Sequence, residues 1–204
     1  MPPELQPLHR PPRFDRAIPL EEHVRLLPEG AACKGLFFND PIERLRKVAP
    51  GHPLLVGGIA GRRYVPFFDY PYSDFMRLLA GTAQAVYPNV PLGEGLRRLG
   101  RAGYEALLQS HVGKVIFGVF GSSFGDVVKT GARGYAVSIN FGKVEVEVVG
   151  PQHVRYRFER LPAFLETYQV GIVEGAMNVC KVQGEILVHL SDPANGSFDI
   201  RWRE

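Results

Sequence analysis

The residue types that could carry chemistry stand mostly apart in this chain. Gly121, Ser123 and Gly125 fit a Gly-x-Ser-x-Gly pattern. A nucleophilic serine of that kind needs a sharp turn between a strand and a helix of a parallel sheet. Here Val112 to Phe120, just before it, reads as buried helix and the later strands as antiparallel, so a Ser123 hydrolase ranks third among the functional readings. Gly57-Gly-Ile-Ala-Gly-Arg-Arg63 sets glycines beside cations but lacks the Gly-Lys-Ser/Thr ending of a phosphate loop, and reads as an ordinary loop. His23, His52, His153 and His189 form no pair at metal-binding spacing and read as surface residues. Cys33 and Cys180 are far apart, and no second thiol or imidazole stands at ligand spacing from Cys180, so no metal is expected. Glu145 and Glu147 face Arg155 and Arg157 across a predicted hairpin. Opposite charges there make sheet-surface ion pairs rather than a catalytic carboxylate pair.

The elements that must hold these residues are clearest over the last sixty positions. Val144, Val146 and Val148 alternate with Lys143, Glu145 and Glu147; Val154, Tyr156 and Phe158 alternate with Arg155 and Arg157. A helical stretch from about Pro162 to Cys180 follows, with Phe164, Tyr168, Gly171, Ile172, Gly175 and Val179 along one stripe. Ile186/Val188/Leu190 and Phe198/Ile200/Trp202 close the chain as a second hairpin, its turn assigned to Asp192-Pro-Ala-Asn-Gly196 with Asn-Gly at the positive-φ positions. Period-two alternation puts one face of each strand in a core, and the middle of the chain can supply the helices that cover it. Asn39 or Asp40 is expected to cap a helix with Pro41 in its first turn and Ile42, Leu45 and Val48 on one face. Ser73 is expected to cap a second helix through Tyr87. A third runs from about Pro91 to Ser110, where Gly93, Gly95, Gly100 and Gly103 imply close helix–helix approach. A short helix over Phe124 to Thr130 should break at Gly131 and Gly134.

Seven of the seventeen prolines (Pro2, Pro3, Pro7, Pro11, Pro12, Pro19, Pro28) lie in the first thirty residues. That segment is expected to be extended, either disordered or strapped over a neighbour by Phe14, Ile18 and Leu20. Residues 31–204 are then expected to form one α+β domain, helical over 41–130 and sheet-containing over 135–204. The net charge of +3, with no basic run interleaved with aromatics, argues against nucleic acid. The apolar runs are too short to span a bilayer, and the opening Met-Pro-Pro-Glu lacks a signal-peptide core. A cytoplasmic protein with two reduced thiols is expected.

Some stretches also resemble known families. Gly134-Tyr-Ala-Val-Ser-Ile-Asn-Phe-Gly142, Phe158-Glu-Arg-Leu-Pro162 before the Gly171/Gly175 helix, Val188-His-Leu-Ser-Asp-Pro-Ala-Asn-Gly-Ser-Phe-Asp-Ile-Arg-Trp202 and Lys34-Gly-Leu-Phe-Phe38 together resemble a paralogous myxobacterial family of unknown function. The match covers about residues 30 to 204. More distantly, the β-β-α-β-β ending is similar to 4-vinyl-reductase-like, haem-NO-binding and TRAPP (Bet3-type) domains. That similarity implies a small-molecule or lipid cavity between sheet and helices, and often a dimer. The departures matter as well. The final hairpin has none of the cysteines that help such sensors bind zinc. Tyr156-Arg-Phe-Glu-Arg160 keeps the Tyr and Arg of the haem-NO-binding Tyr-x-Ser-x-Arg motif but has Phe158 for Ser, and His111 is the one helix-associated histidine that could serve as axial ligand. No cofactor is expected.

The sequence therefore points to helices packed on one face of a four-stranded antiparallel sheet, with a proline-rich N-terminal extension. The leading functional expectation is a non-enzymatic module that binds a small hydrophobic ligand or regulates a partner. Tyr156, Phe158, Phe164, Tyr168 and Trp202 would line its cavity, or equally fill the core solid. A homodimeric scaffold without ligand, using the glycine-rich helix, is the alternative.

Overall fold

A computed structural model of the chain describes residues 8–109 and 123–203. The expected helix over Val112 to Phe120 lies outside the described residues. Four strands, β3 (Lys143–Gly150), β4 (His153–Glu159), β5 (Gln183–Asp192) and β6 (Asn195–Arg203), form an antiparallel sheet in the order β3-β4-β6-β5. The register aligns Val146 with Tyr156, Tyr156 with Phe198 and Phe198 with Val188, so apolar side chains share one face. The same pairing sets Glu145 opposite Arg157 and Glu147 opposite Arg155 on the other face. There Asp199 is the buried hub: Arg155 donates to it at 3.0 Å and His153 Nε2 lies 2.8 Å away.

Helices cover the apolar face. They are α2 (Leu36–Val48), α3 (Tyr72–Val86), α4 (Leu92–Gln109), α5 (Phe124–Ser138) and α6 (Val170–Cys180), with a short α1 (Leu20–Arg25) before them. Two short strands, β1 (Ala32–Lys34) and β2 (Asp69–Pro71), pair antiparallel beside α3. One cluster of buried apolar side chains runs from Cys33 to Trp202. Among the described residues no helix is long and apolar enough to cross a membrane.

Several boundaries differ from the sequence reading. Helix α2 starts at Leu36, which leaves Asn39 and Asp40 inside it rather than at its cap. Phe38 must enter the core, where its ring stacks on Tyr64 at 4.0 Å, and the helical turn before Pro41 puts it there. Val48 is exposed. Helix α3 begins at Tyr72 with no side-chain cap, so Ser73 does not cap it. Helix α5 runs through Gly131 and Gly134 instead of breaking. A Cβ at Gly131 would overlap the Tyr156 hydroxyl, so this glycine lets the helix lie close on the sheet. In the second hairpin Asp192 pairs with Asn195, leaving Pro193 and Ala194 in the turn; neither Asn195 nor Gly196 takes positive φ. The Asp192 carboxylate closes the turn by accepting from Ala194 N at 2.7 Å.

The stretch from Pro162 also departs from one continuous helix. Phe164 takes a left-handed φ of 54°, a five-residue π-helical turn (Leu165–Gln169) follows, and only then does α6 begin. Helix α6 packs on α4 with backbones nearly touching: a Cβ on Gly171 or Gly175 would overlap the backbone of Arg97 or Arg101, and one on Gly100 would meet Tyr168. The close approach expected of the α4 glycines is realised here. From residue 8 onward the N-terminal segment is a strap. Arg10 exchanges backbone hydrogen bonds with Val188 at the β5 edge, its side chain pairs with Glu166, and Phe14 lies 4.5 Å from the Arg97 guanidinium.

Candidate ligand-binding site

Where α4 leaves α6, the helices stop filling the space above the sheet. A cavity of about 420 Å³ opens between α2, α4, α5, the π-helical turn and strand β4. Its walls are mainly apolar, including Phe75, Leu99, Val128, Val173 and Ala176. Five of the chain's eight tyrosines also border it: Tyr72, Tyr104, Tyr135, Tyr156 and Tyr168. Aromatic rings are stiff and flat, so rings brought in from several elements leave a gap that flexible aliphatic chains would close.

Each tyrosine is placed by its element. Tyr72 opens α3 on the stripe of Phe75 and Leu79, and Tyr135 sits one turn beyond Gly131 on the inner face of α5. Tyr156 projects from β4, and its hydroxyl donates to the carbonyl of Val128 at 2.6 Å. The Tyr135 hydroxyl donates to Gln169 Oε1 at 2.5 Å, and Gln169 in turn donates to Ala163 O. Burial pushes all five phenols up, reinforced at Tyr72 by Cys33, Tyr168 and Tyr135. They stay neutral donors at any physiological pH. The Cys33 thiol on the same wall is also pushed up, by burial and then by Asp69, so it is an inert thiol rather than a nucleophile.

Of the five sequence-nominated residues, Tyr156 and Tyr168 border this cavity. Phe158 packs on Phe198 at 4.7 Å, Trp202 sits edge-on to Phe124, and Phe164 lies 5.6 Å from His23; these three are core side chains away from the cavity wall. Tyr72, Tyr104, Tyr135 and Gln169 escaped the sequence reading. Tyr72 alone carried a usable signal, its three- and seven-residue spacing to Phe75 and Leu79.

The alternative chemical sites resolve into structural roles. Ser123 is the N-cap of α5: its hydroxyl accepts from Asp126 N at 3.1 Å and donates to the Asp126 carboxylate at 2.7 Å. With an aspartate as its partner and an antiparallel sheet nearby, it forms no nucleophile elbow. Glu147 pairs with Arg157 at 2.9 Å on the exposed sheet face. Both cysteines are free, and no group of three or more metal-ligating side chains exists among the described residues.

Comparison with known proteins agrees with this architecture. A family model described as "Protein of unknown function (DUF2378)" matches residues 28–203. No curated protein matches the chain. Solved structures with the same fold include an H-NOX protein from S. oneidensis (TM-score 0.66, 14% identity, covering 84% of this chain and 96% of that one). An H-NOX protein from K. algicida (TM-score 0.59, 14% identity, 84% and 97%) and a further H-NOX structure from a study of heme distortion (TM-score 0.61, 16% identity, 84% and 95%) are also similar. At these identities the likeness is one of fold.

Proposed function

The chain belongs to the DUF2378 family, and we propose that it works as a non-enzymatic, ligand-binding regulatory module holding a small apolar molecule between sheet and helices. The cavity carries this proposal: its volume of about 420 Å³ and its mainly apolar walls with a few polar groups suit a small-molecule site. The fold likeness to H-NOX proteins supports the same class of role. The pair of free thiols supports a reducing, cytoplasmic setting.

The H-NOX structures raise haem specifically, since they include an Fe(II) ligation state and a study of heme distortion. The described residues bordering the cavity offer it no histidine. Haem iron takes an axial histidine, thiolate, methionine or phenolate. Among the described residues no histidine or methionine borders the cavity. Tyr156 has committed its hydroxyl to Val128, and Arg160 stands on an exposed turn at φ 51°. His111 lies outside the described residues.

Native mass spectrometry of the purified protein against its denatured mass tests the proposal. Extra mass lost on denaturation, without a Soret band, is the expected result. A bare protein that also fails to bind an added apolar fluorophore would overturn it, and a Soret band would replace it with a haem sensor.

The exposed side chains of Val56, Val65, Phe67 and Phe68, on one segment before β2, favour a second reading as a homodimeric or partner-binding scaffold. Light scattering after gel filtration distinguishes it: a dimer dissolved by Phe67→Ser and Phe68→Ser would support the scaffold.

A further inference from the structure

The polar groups of the cavity are unevenly used, and their pattern selects a class of ligand; this step rests on the cavity being a ligand site. Tyr135 and Tyr156 spend their hydroxyls on Gln169 and Val128. Tyr72 does not. It is 4% exposed, borders the cavity, and its hydroxyl has no hydrogen-bond partner among the described residues. The hydroxyl of the partly buried Tyr168, on the π-helical turn, likewise has no hydrogen-bond partner among the described residues. Both rings contact Phe75, with centroids 5.6 and 6.1 Å from it, so they share one region of the wall. A hydroxyl that borders an apolar cavity without a protein acceptor is a donor that a ligand oxygen can take up.

The charges around the cavity narrow the choice further. The charged wall residues among those described are Asp40 and Glu43. Each is already paired one turn along α2, with Arg44 at 2.7 Å and Lys47 at 2.8 Å. No described lysine or arginine borders the cavity to receive a carboxylate, and neither acid is free to receive an amine. Elsewhere the wall is mainly hydrocarbon and ring, with Asn39, Thr130, Ser138 and Gln169 as its neutral polar side chains.

We propose that the cavity selects a neutral, largely apolar molecule bearing a carbonyl-type oxygen, with that oxygen accepting from Tyr72 and Tyr168 and the apolar body against Leu99, Val128 and Val173. Ketones and esters meet this requirement; fatty carboxylates and plain hydrocarbons do not.

The test measures binding of three matched probes to the full chain by calorimetry: octylbenzene, octanophenone and the carboxylate 8-phenyloctanoate (phenyloctanoate). One net hydrogen bond corresponds to roughly a tenfold gain. Octanophenone is therefore expected to bind about tenfold tighter than octylbenzene, with phenyloctanoate the weakest. In Tyr72→Phe and Tyr168→Phe, singly and together, that preference should shrink while octylbenzene affinity holds. The phenylalanine variants keep ring volume, and the octylbenzene affinity itself reports that the cavity is intact. If octylbenzene and octanophenone bind equally, or the preference survives both substitutions, the carbonyl assignment fails and the apolar cavity stands. Tightest binding of phenyloctanoate overturns the neutral class. Binding of none of the three overturns both this assignment and the ligand-site reading beneath it.

Discussion

Helix α4 makes two opposite kinds of contact along one length. Toward α6 it is welded: Gly100, Gly171 and Gly175 remove the side chains between two backbones, and Glu174 ties the seam by accepting from Arg97 and Arg101 at 2.7 Å each. Toward α2 and α5 the same helix presents Leu99, Gly103 and Tyr104 to empty space. Glycines occur in both contacts, so composition does not distinguish them. What differs is the partner. At the seam a glycine faces backbone, which can approach until carbonyl and amide atoms touch. At the cavity it faces tyrosine rings from other elements, which keep their shape and hold the walls apart.

Substitutions at these positions test the contrast, and the largest effect is expected at the seam. Gly171→Val places a branched side chain on the Arg97 carbonyl and should cost about 3 kcal/mol or more in urea denaturation, or prevent folding. A stable, native-like variant would mean that the helices separate at little cost. Gly103→Leu is the complementary change. A Cβ there meets nothing closer than Asp40 Oδ2 at 3.7 Å, so the added chain enters the cavity. Apolar-probe affinity should fall at least about tenfold while stability changes by less than about 1.5 kcal/mol; unchanged affinity would place the ligand elsewhere. Glu174→Gln should cost about 1 kcal/mol, and the loss should narrow between low and high salt because the pair is partly exposed. Gly134→Ala has the smallest effect. Nothing lies within 4 Å of the added methyl, so the helix should gain about 0.5–1 kcal/mol in thermal unfolding. A loss there would mean that the α5 wall is tighter than the seam comparison implies.

Acid titration probes a third region, the outer sheet face. Burial disfavours the Asp199 charge, but the hydrogen bonds from His153 and Arg155 prevail and hold its pKa below the usual carboxylate value. A depressed folded pKa contributes stability above the unfolded value of about 3.9, and that contribution is lost as pH falls through the folded pKa. Asp199→Asn should therefore lower stability at neutral pH and flatten the acid limb, leaving the apolar-probe affinity of the cavity unchanged.

Local pattern alone determined the sheet. Alternation of Val144/Val146, Tyr156/Phe158, Ile186/Val188 and Phe198/Ile200 with charged neighbours specified four strands, their inward faces and the Glu–Arg pairs on the outward face. The reason is that a strand's burial repeats every two residues and needs no distant partner to be read. Glycine spacing likewise announced that α4 approaches another helix closely; that its partner is α6, whose Gly171 and Gly175 read as packing on the sheet, was decided in three dimensions. Helix starts and turn centres were decided by tertiary contacts: Phe38 stacking on Tyr64 draws α2 back to Leu36, and Tyr156 beneath Gly131 carries α5 across two glycines. The resemblance implied a cavity between sheet and helices, and Tyr156 and Tyr168 were nominated for it, but which other walls meet there was decided at the tertiary level. Tyr72, Tyr104, Tyr135, Tyr156 and Tyr168 come from five separate elements, and a void is a property of what fails to meet in space. Apolar periodicity marks a side chain as inward-facing, but it is the same for a ring that fills a core and for one that borders a gap.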